Sequence, residues 1–205
     1  NLFSKLEELK DDFRISISEP LRRDFYQSFA LPRRGRELAL RLKEEHPKRF
    51  LGIHPVGSDF SDQFHASHGR QPKKMPFDFF REIVSFLSKD FHLLVFGTSK
   101  ELSKEYKLPL LKSDICDAIT WISCENIWDT LAHVLICDKI IAVDSAIKSM
   151  ASVKNIPSVV FVGDYEDGTR DSLFLDQYVG DGVMKVIKYT ELKEKELKEL
   201  KLCLE

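Results

Sequence analysis

From Phe50 onward the sequence alternates short, continuously apolar runs with segments whose apolar residues recur every three or four positions. βαβ units leave this trace when a parallel sheet is buried on both faces. The runs predict strands over 50–54, 91–96, 118–122, 139–143, 157–162 and 183–187. The 91–96 run, FHLLVF, is too apolar to offer one face to water. Between the strands, helical periodicity predicts helices over 76–88, 125–134, 145–153 and 190–202. In the first of these, Phe79, Phe80, Ile83, Val84 and Leu87 share one face, and Pro76 is expected at the first helical position, where its missing N–H is tolerated. The Glu and Lys residues of the last helix are expected to face solvent.

Before Phe50 the pattern is less regular. It predicts an amphipathic helix over 2–13, then the basic stretch Leu31-Pro-Arg-Arg-Gly-Arg36, then a helix over 36–45. Pro20, Pro32 and Gly35 interrupt any longer helix. The arginines alternate with acidic and apolar residues, which reads as a solvated face rather than a binding patch. Residues 1–49 therefore read as a helical connector or the remnant of a preceding domain, and 50–205 as one α/β domain: a Rossmann-like parallel sheet flanked by helices. No repeat or low-complexity segment interrupts it. The chain opens on Asn1 rather than Met, so a fragment or processed piece of a longer polypeptide is expected.

Composition adds exclusions. At 205 residues and 43% hydrophobic positions, the chain is long enough to bury a full core. Its 31 basic and 33 acidic residues leave a net charge of −2, without the basic excess that drives nucleic-acid binding, so no nucleic-acid partner is expected. No apolar run approaches the roughly 18 to 20 residues that span a bilayer, and NLFSKLEELKDDF is amphipathic rather than a signal peptide, so a cytoplasmic location is expected. Cys116, Cys124, Cys137 and Cys203 form no C-x-x-C pair and no zinc-finger spacing with His. No metal site or disulfide framework is expected from them, only buried free thiols.

Open parallel sheets bind ligands outside the carboxyl ends of their strands, where loops feed helix N-termini. That rule selects the turns at 54–58, 97–99, 144–146 and 163–164. In the first, Gly57 lets backbone approach a phosphate and the Ser58 hydroxyl can donate to one, although a Pro-Gly turn needs no ligand. The polar loop 59–74 carries His65, His68, Arg70, Lys73 and Lys74, and a loop of this length is unusual unless it is functional or disordered. Asp144 ends a fully apolar strand, where a carboxylate asks for a partner, and Ser145 opens the next helix. Helix capping by this pair is the competing reading, compatible with a ligand role. His54 and His92 read as core or edge histidines without a triad partner. Ser99 and Ser145 lack nucleophile-elbow surroundings, and neither a P-loop nor a G-x-G-x-x-G fingerprint is present.

Taken in order, residues from about Phe50 to the end resemble the carboxyl-terminal, donor-binding domain of the lipopolysaccharide heptosyltransferase family, the ADP-heptose transferases of glycosyltransferase family 9. His54-Pro55-Val56-Gly57-Ser58 is similar to the family's His-Pro-Gly-Ala-Ser-type phosphate loop. Lys73-Lys74-Met75-Pro76, followed by Phe79-Phe80, resembles its Lys-Arg-Trp-Pro helix start. Ile127-Trp128-Asp129-Thr130-Leu131-Ala132 resembles the helix before the motif strand. The run from Ile140 through Asp144-Ser145-Ala146-Ile147-Lys148-Ser149-Met150-Ala151, then 157–163, resembles Asp-Thr-Gly-x-x-His-Leu-Ala followed by Pro-x-x-x-x-x-Gly.

The resemblance implies the C-terminal half of a GT-B fold in lipopolysaccharide biosynthesis, with inverting, metal-independent transfer and no cofactor beyond the nucleotide-diphosphate sugar substrate. It implies donor-binding roles for Gly57, Ser58, Lys73, Lys74, Asp144, Ser145, Ala146, Ser149 and Gly163. It further implies a saccharide or glycolipid acceptor, peripheral membrane association through that acceptor, and an N-terminal domain of the same polypeptide carrying the catalytic base. Ala146 stands where the family has Gly and Ser149 where it has His. These departures, with the absent amino-terminal half, motivate one alternative, a degenerate module serving protein interaction; a different enzyme on a similar sheet, such as a sugar-nucleotide hydrolase or epimerase, is a third reading.

Overall fold

Strands buried on both faces need a helical layer on each side, and the chain supplies both. The computed structural model describes residues 33–57, 74–98, 102, 106, 116–143, 145–163, 184–189 and 194–204. All of them fall in one compact unit, Leu31–Glu205. The strands are β1 (Arg49–His54), β2 (Phe91–Gly97), β3 (Ile119–Ser123), β4 (Lys139–Val143), β5 (Ser158–Gly163) and β6 (Met184–Tyr189). They form one six-stranded sheet in the order β3-β2-β1-β4-β5-β6, with every neighbouring pair parallel. The described helices are α1 (Arg33–Glu45), α2 (Phe77–Leu87), α3 (Ile127–Leu135), α4 (Ala146–Val153) and α5 (Glu194–Leu204).

The period of two along each strand divides the core into two layers. Leu51 and Ile53 of β1, Leu93 and Val95 of β2, and Ile141 and Val143 of β4 pack with Phe80, Ile83 and Val84 of α2 and Leu197 and Leu200 of α5. The alternate residues Phe50, Leu94, Phe96, Ile140 and Ala142 pack with Val134 of α3 and Ile147 and Ala151 of α4. Burying one such side chain contributes roughly 1.5 to 3 kcal/mol. This two-sided burial is why β2 shows no polar alternation. Gly52 faces the second layer, where a Cβ would lie 2.9 Å from Phe96 and press into Ile140 as well.

Helix α1, expected within the connector, packs on α3. A Cβ at Gly35 would come within 3.2 Å of the Ala132 Cβ and 3.3 Å of the Trp128 carbonyl, so glycine sets the close approach. The helix expected over 2–13 lies outside the described residues. From Phe50 on, the expected strands and helices form, their ends shifted by a few residues. Pro76 is a correction: it is the N-cap of α2, with φ −56° and ψ 142°, rather than its first helical residue. Its carbonyl accepts the first helical bond, from Phe80 N at 2.9 Å, while its extended ψ continues the backbone arriving from Lys74 and Met75.

Local chemistry closes the ends. Lys48 Nζ donates to the Ser88 and Lys89 carbonyls beyond α2, at 3.0 and 3.1 Å. After α4, Asn155 adopts φ 55°, Asn155 N donates to Ser152 O and Ile156 N to Ala151 O, the paired bonds of a Schellman turn. No described helix is long and apolar enough to cross a membrane.

Candidate functional site

The strand order creates a switch point. From β1 the chain crosses to β2 on one side, whereas β4 joins β1 on the other. The helices that follow lie on opposite faces, α2 in the first core layer and α4 in the second. Their loops therefore part at the carboxyl ends of β1 and β4, the position at which open parallel sheets bind ligands.

At the β1 side, His54, Pro55, Val56 and Gly57 are all buried. Val56 forms an antiparallel bridge with Lys74, and Met75 N donates to Pro55 O at 2.7 Å. These bonds bring together the two ends of the long polar loop, so Gly57 and half-buried Lys74 sit at its base. The fully buried Tyr106 fixes the same corner: its hydroxyl donates to the Met75 carbonyl, and its ring meets Phe80 edge-on at 5.0 Å. Helix α2 begins here, behind a proline that has no side-chain donor or acceptor to cap it.

At the β4 side, Ser145 occupies the N-cap of α4 in extended conformation, φ −158° and ψ 173°, yet its hydroxyl makes no cap bond. It lies instead 2.8 Å from Nδ1 of His54. Helix α3 is the internal contrast. Its N-cap Asn126 accepts from Trp128 N at 2.9 Å and Asp129 N at 3.3 Å. The two helices flanking the switch point thus begin without side-chain caps, while α3 has one. Uncapped first-turn N–H groups carry partial positive charge, which favours an anion.

Burial lowers the His54 pKa to about 4, so its imidazole is neutral near pH 7 and acts as a hydrogen-bonding group, not a cation. Lys148, in the first turn of α4, is 4% exposed. A basic residue in the first turn runs against the helix dipole, whereas an anion there is favoured by the same dipole.

Of the residues singled out in the sequence, Ser145 and the His54–Gly57 segment are joined directly, and Lys74 stands beside Val56. Ala146 is the exposed first residue of α4, and Asn155 is the one described non-glycine residue with positive φ, so the backbone at Ala146 does not require glycine. Ser149 is half-buried one turn along, its N–H donating to Ser145 O at 3.3 Å. Gly163 ends β5, the next strand outward, opposite Tyr189. Ser58, Lys73 and Asp144 lie outside the described residues. Sequence reasoning left His54 without a partner and passed over Lys148. The signal for His54 was positional: once β1 and β4 are neighbours, the residue ending one lies beside the turn leaving the other.

Among the described residues, His92 and Cys137 serve packing. His92 stacks on His46 at 3.6 Å, meets Thr120 Oγ1 at 2.7 Å through Nε2, and has its pKa lowered to about 4 by burial, then by His46 and Lys48. Cys137 is buried, which raises its thiol pKa, whereas Cys124 and Cys203 are only half-buried. Among the described residues, no three His, Cys, Asp or Glu are grouped as metal ligands.

The sequence matches no family profile and no curated protein. Solved structures do match. The Escherichia coli ADP-heptose lipopolysaccharide heptosyltransferase II superposes with a TM-score of 0.59 at 16% identity, over 86% of this chain and 53% of that one. A glycosyl transferase family 9 protein from Veillonella parvula superposes with a TM-score of 0.58 at 14% identity, over 85% of this chain and 46% of that one. The fold is therefore heptosyltransferase-like, of the family 9 glycosyltransferase type, and the chain spans about half the length of the structures it matches.

Proposed function

We propose that this chain is the donor-binding half of a GT-B glycosyltransferase, holding a nucleotide-diphosphate sugar with its diphosphate over the carboxyl ends of β1 and β4. The observation that carries the reading is the diversion of Ser145 to His54, which leaves α4 without a side-chain cap at the switch point of a heptosyltransferase-like sheet. A diphosphate leaving group needs N–H donors and positive charge. The N-termini of α2 and α4 supply the donors, and Lys73, Lys74 and Lys148 supply the charge, without a metal. Gly57 lets backbone approach the phosphates and the Ser58 hydroxyl donates to one, Ala146 offers its N–H at the start of α4, Asp144 and Ser149 are assigned to the sugar, and Gly163 borders the site from β5. The acceptor, a saccharide or glycolipid hydroxyl, and the base that deprotonates it for inverting transfer belong to a further domain.

Calorimetric titration of the chain with ADP-, UDP- and GDP-sugars tests this. One of them is expected to bind with a Kd below 1 mM, about −4 kcal/mol. Heatless titrations with all of them at millimolar concentration would remove the donor-binding reading and favour an interaction module on the same fold, for which Ala146 and Ser149 are the motivating departures.

A further inference from the structure

His54 carries a polarity that packing does not explain. Side chains alternate along β1, so Phe50, Gly52 and His54 face the layer containing α3 and α4. There His54 is 7% exposed, with Nδ1 on Ser145 Oγ at 2.8 Å, and neither Nε2 nor the serine hydroxyl has a second hydrogen-bond partner among the described residues. A neutral imidazole has one N–H and one bare nitrogen. If Nδ1 were bare, it would take the serine proton, leaving a buried Nε2–H stranded and Ser145 with nothing to donate. If Nδ1 holds the proton, the stranded group is an acceptor, which buried sites tolerate more readily than a stranded N–H. The serine O–H is then available to half-exposed space at the start of α4.

We propose that His54 is a positioning residue: its Nδ1–H donates to Ser145 Oγ, holding that hydroxyl off the end of α4 so that the serine O–H and the helix's first-turn N–H groups are both available to an anionic oxygen. The inference rests on the donor-binding reading, with the diphosphate as that anion. Ser145 is then a ligand contact rather than a cap, and His54 acts through it without touching the ligand.

Two measurements test this. In the ligand-free chain, nitrogen NMR of the His54 ring is expected to show a protonated Nδ1 and a bare Nε2; a protonated Nε2 overturns the inference whatever the chain binds. With whichever of the ADP-, UDP- or GDP-sugars binds, His54→Ala and Ser145→Ala are each expected to weaken affinity about tenfold, and the double variant to be no weaker than either. His54→Asn, whose side-chain amide offers an N–H near the Nδ1 position, is expected to recover affinity to within about threefold of wild type. Unchanged affinity in His54→Ala, or additive losses in the double variant, overturns it while leaving donor binding intact. Should His54→Ala not fold, Ser145→Ala and His54→Asn carry the comparison. A wild-type chain that binds none of the sugars defeats the donor reading instead, and the ring NMR then decides the polarity alone.

Discussion

Two buried histidines make stability depend on pH in a definite direction. The folded pKa values of His54 and His92 lie near 4, below the ordinary 6.5, so between these limits the unfolded chain binds more protons than the folded one. Stability is therefore complete above about pH 6.5 and falls as the pH drops toward 4. For His54 the full effect is on the order of 3 kcal/mol. Thermal melts are expected to hold a constant Tm from pH 7 to 8 and to lose it steadily below 6.5, with a shallower fall in His54→Asn. A Tm unchanged down to pH 4.5 would show that His54 is not buried as a neutral ring. The same residue shows what a sequence conceals. That His54 ends a strand could be read locally, but its partner is 91 positions away, and only the neighbouring of β1 and β4 brings the two together.

At the scale of elements, the sequence is most legible where burial dictates pattern. β2 and β4 were readable because both faces are covered, and α2 because its buried residues fall on one stripe. Ends were less legible, since they depend on hydrogen bonds from elsewhere. Pro76 became an N-cap because the Val56–Lys74 bridge delivers extended backbone to it. Caps also distinguish α3 from α2 and α4. Asn126→Ala removes two cap bonds from α3 and is expected to cost about 1 kcal/mol, with no change in sugar-nucleotide affinity. Urea denaturation together with calorimetry checks both halves of that expectation. A loss of affinity would place α3 in the site as well.

Across the whole molecule, the order β3-β2-β1-β4-β5-β6 is what brings the end of β1 beside the turn leaving β4, and no local pattern dictates it. Apolar runs establish that the strands are buried, not which are neighbours. The family resemblance named the fold class without that order, and the superposition on two glycosyltransferase structures supports the same fold over most of the chain. The ligand end is expected between β1 and β4, where α2 and α4 start without side-chain caps. Amide NMR during titration with the sugar nucleotide that binds tests it most directly. The largest shifts are expected at Gly57, Lys74, Ser145 and the first turn of α4, with Trp128 and Asp129 at the capped end of α3 little affected. Shifts concentrated at α3, or spread along the amino ends of the strands near His46 and His92, would place the ligand away from the β1–β4 end.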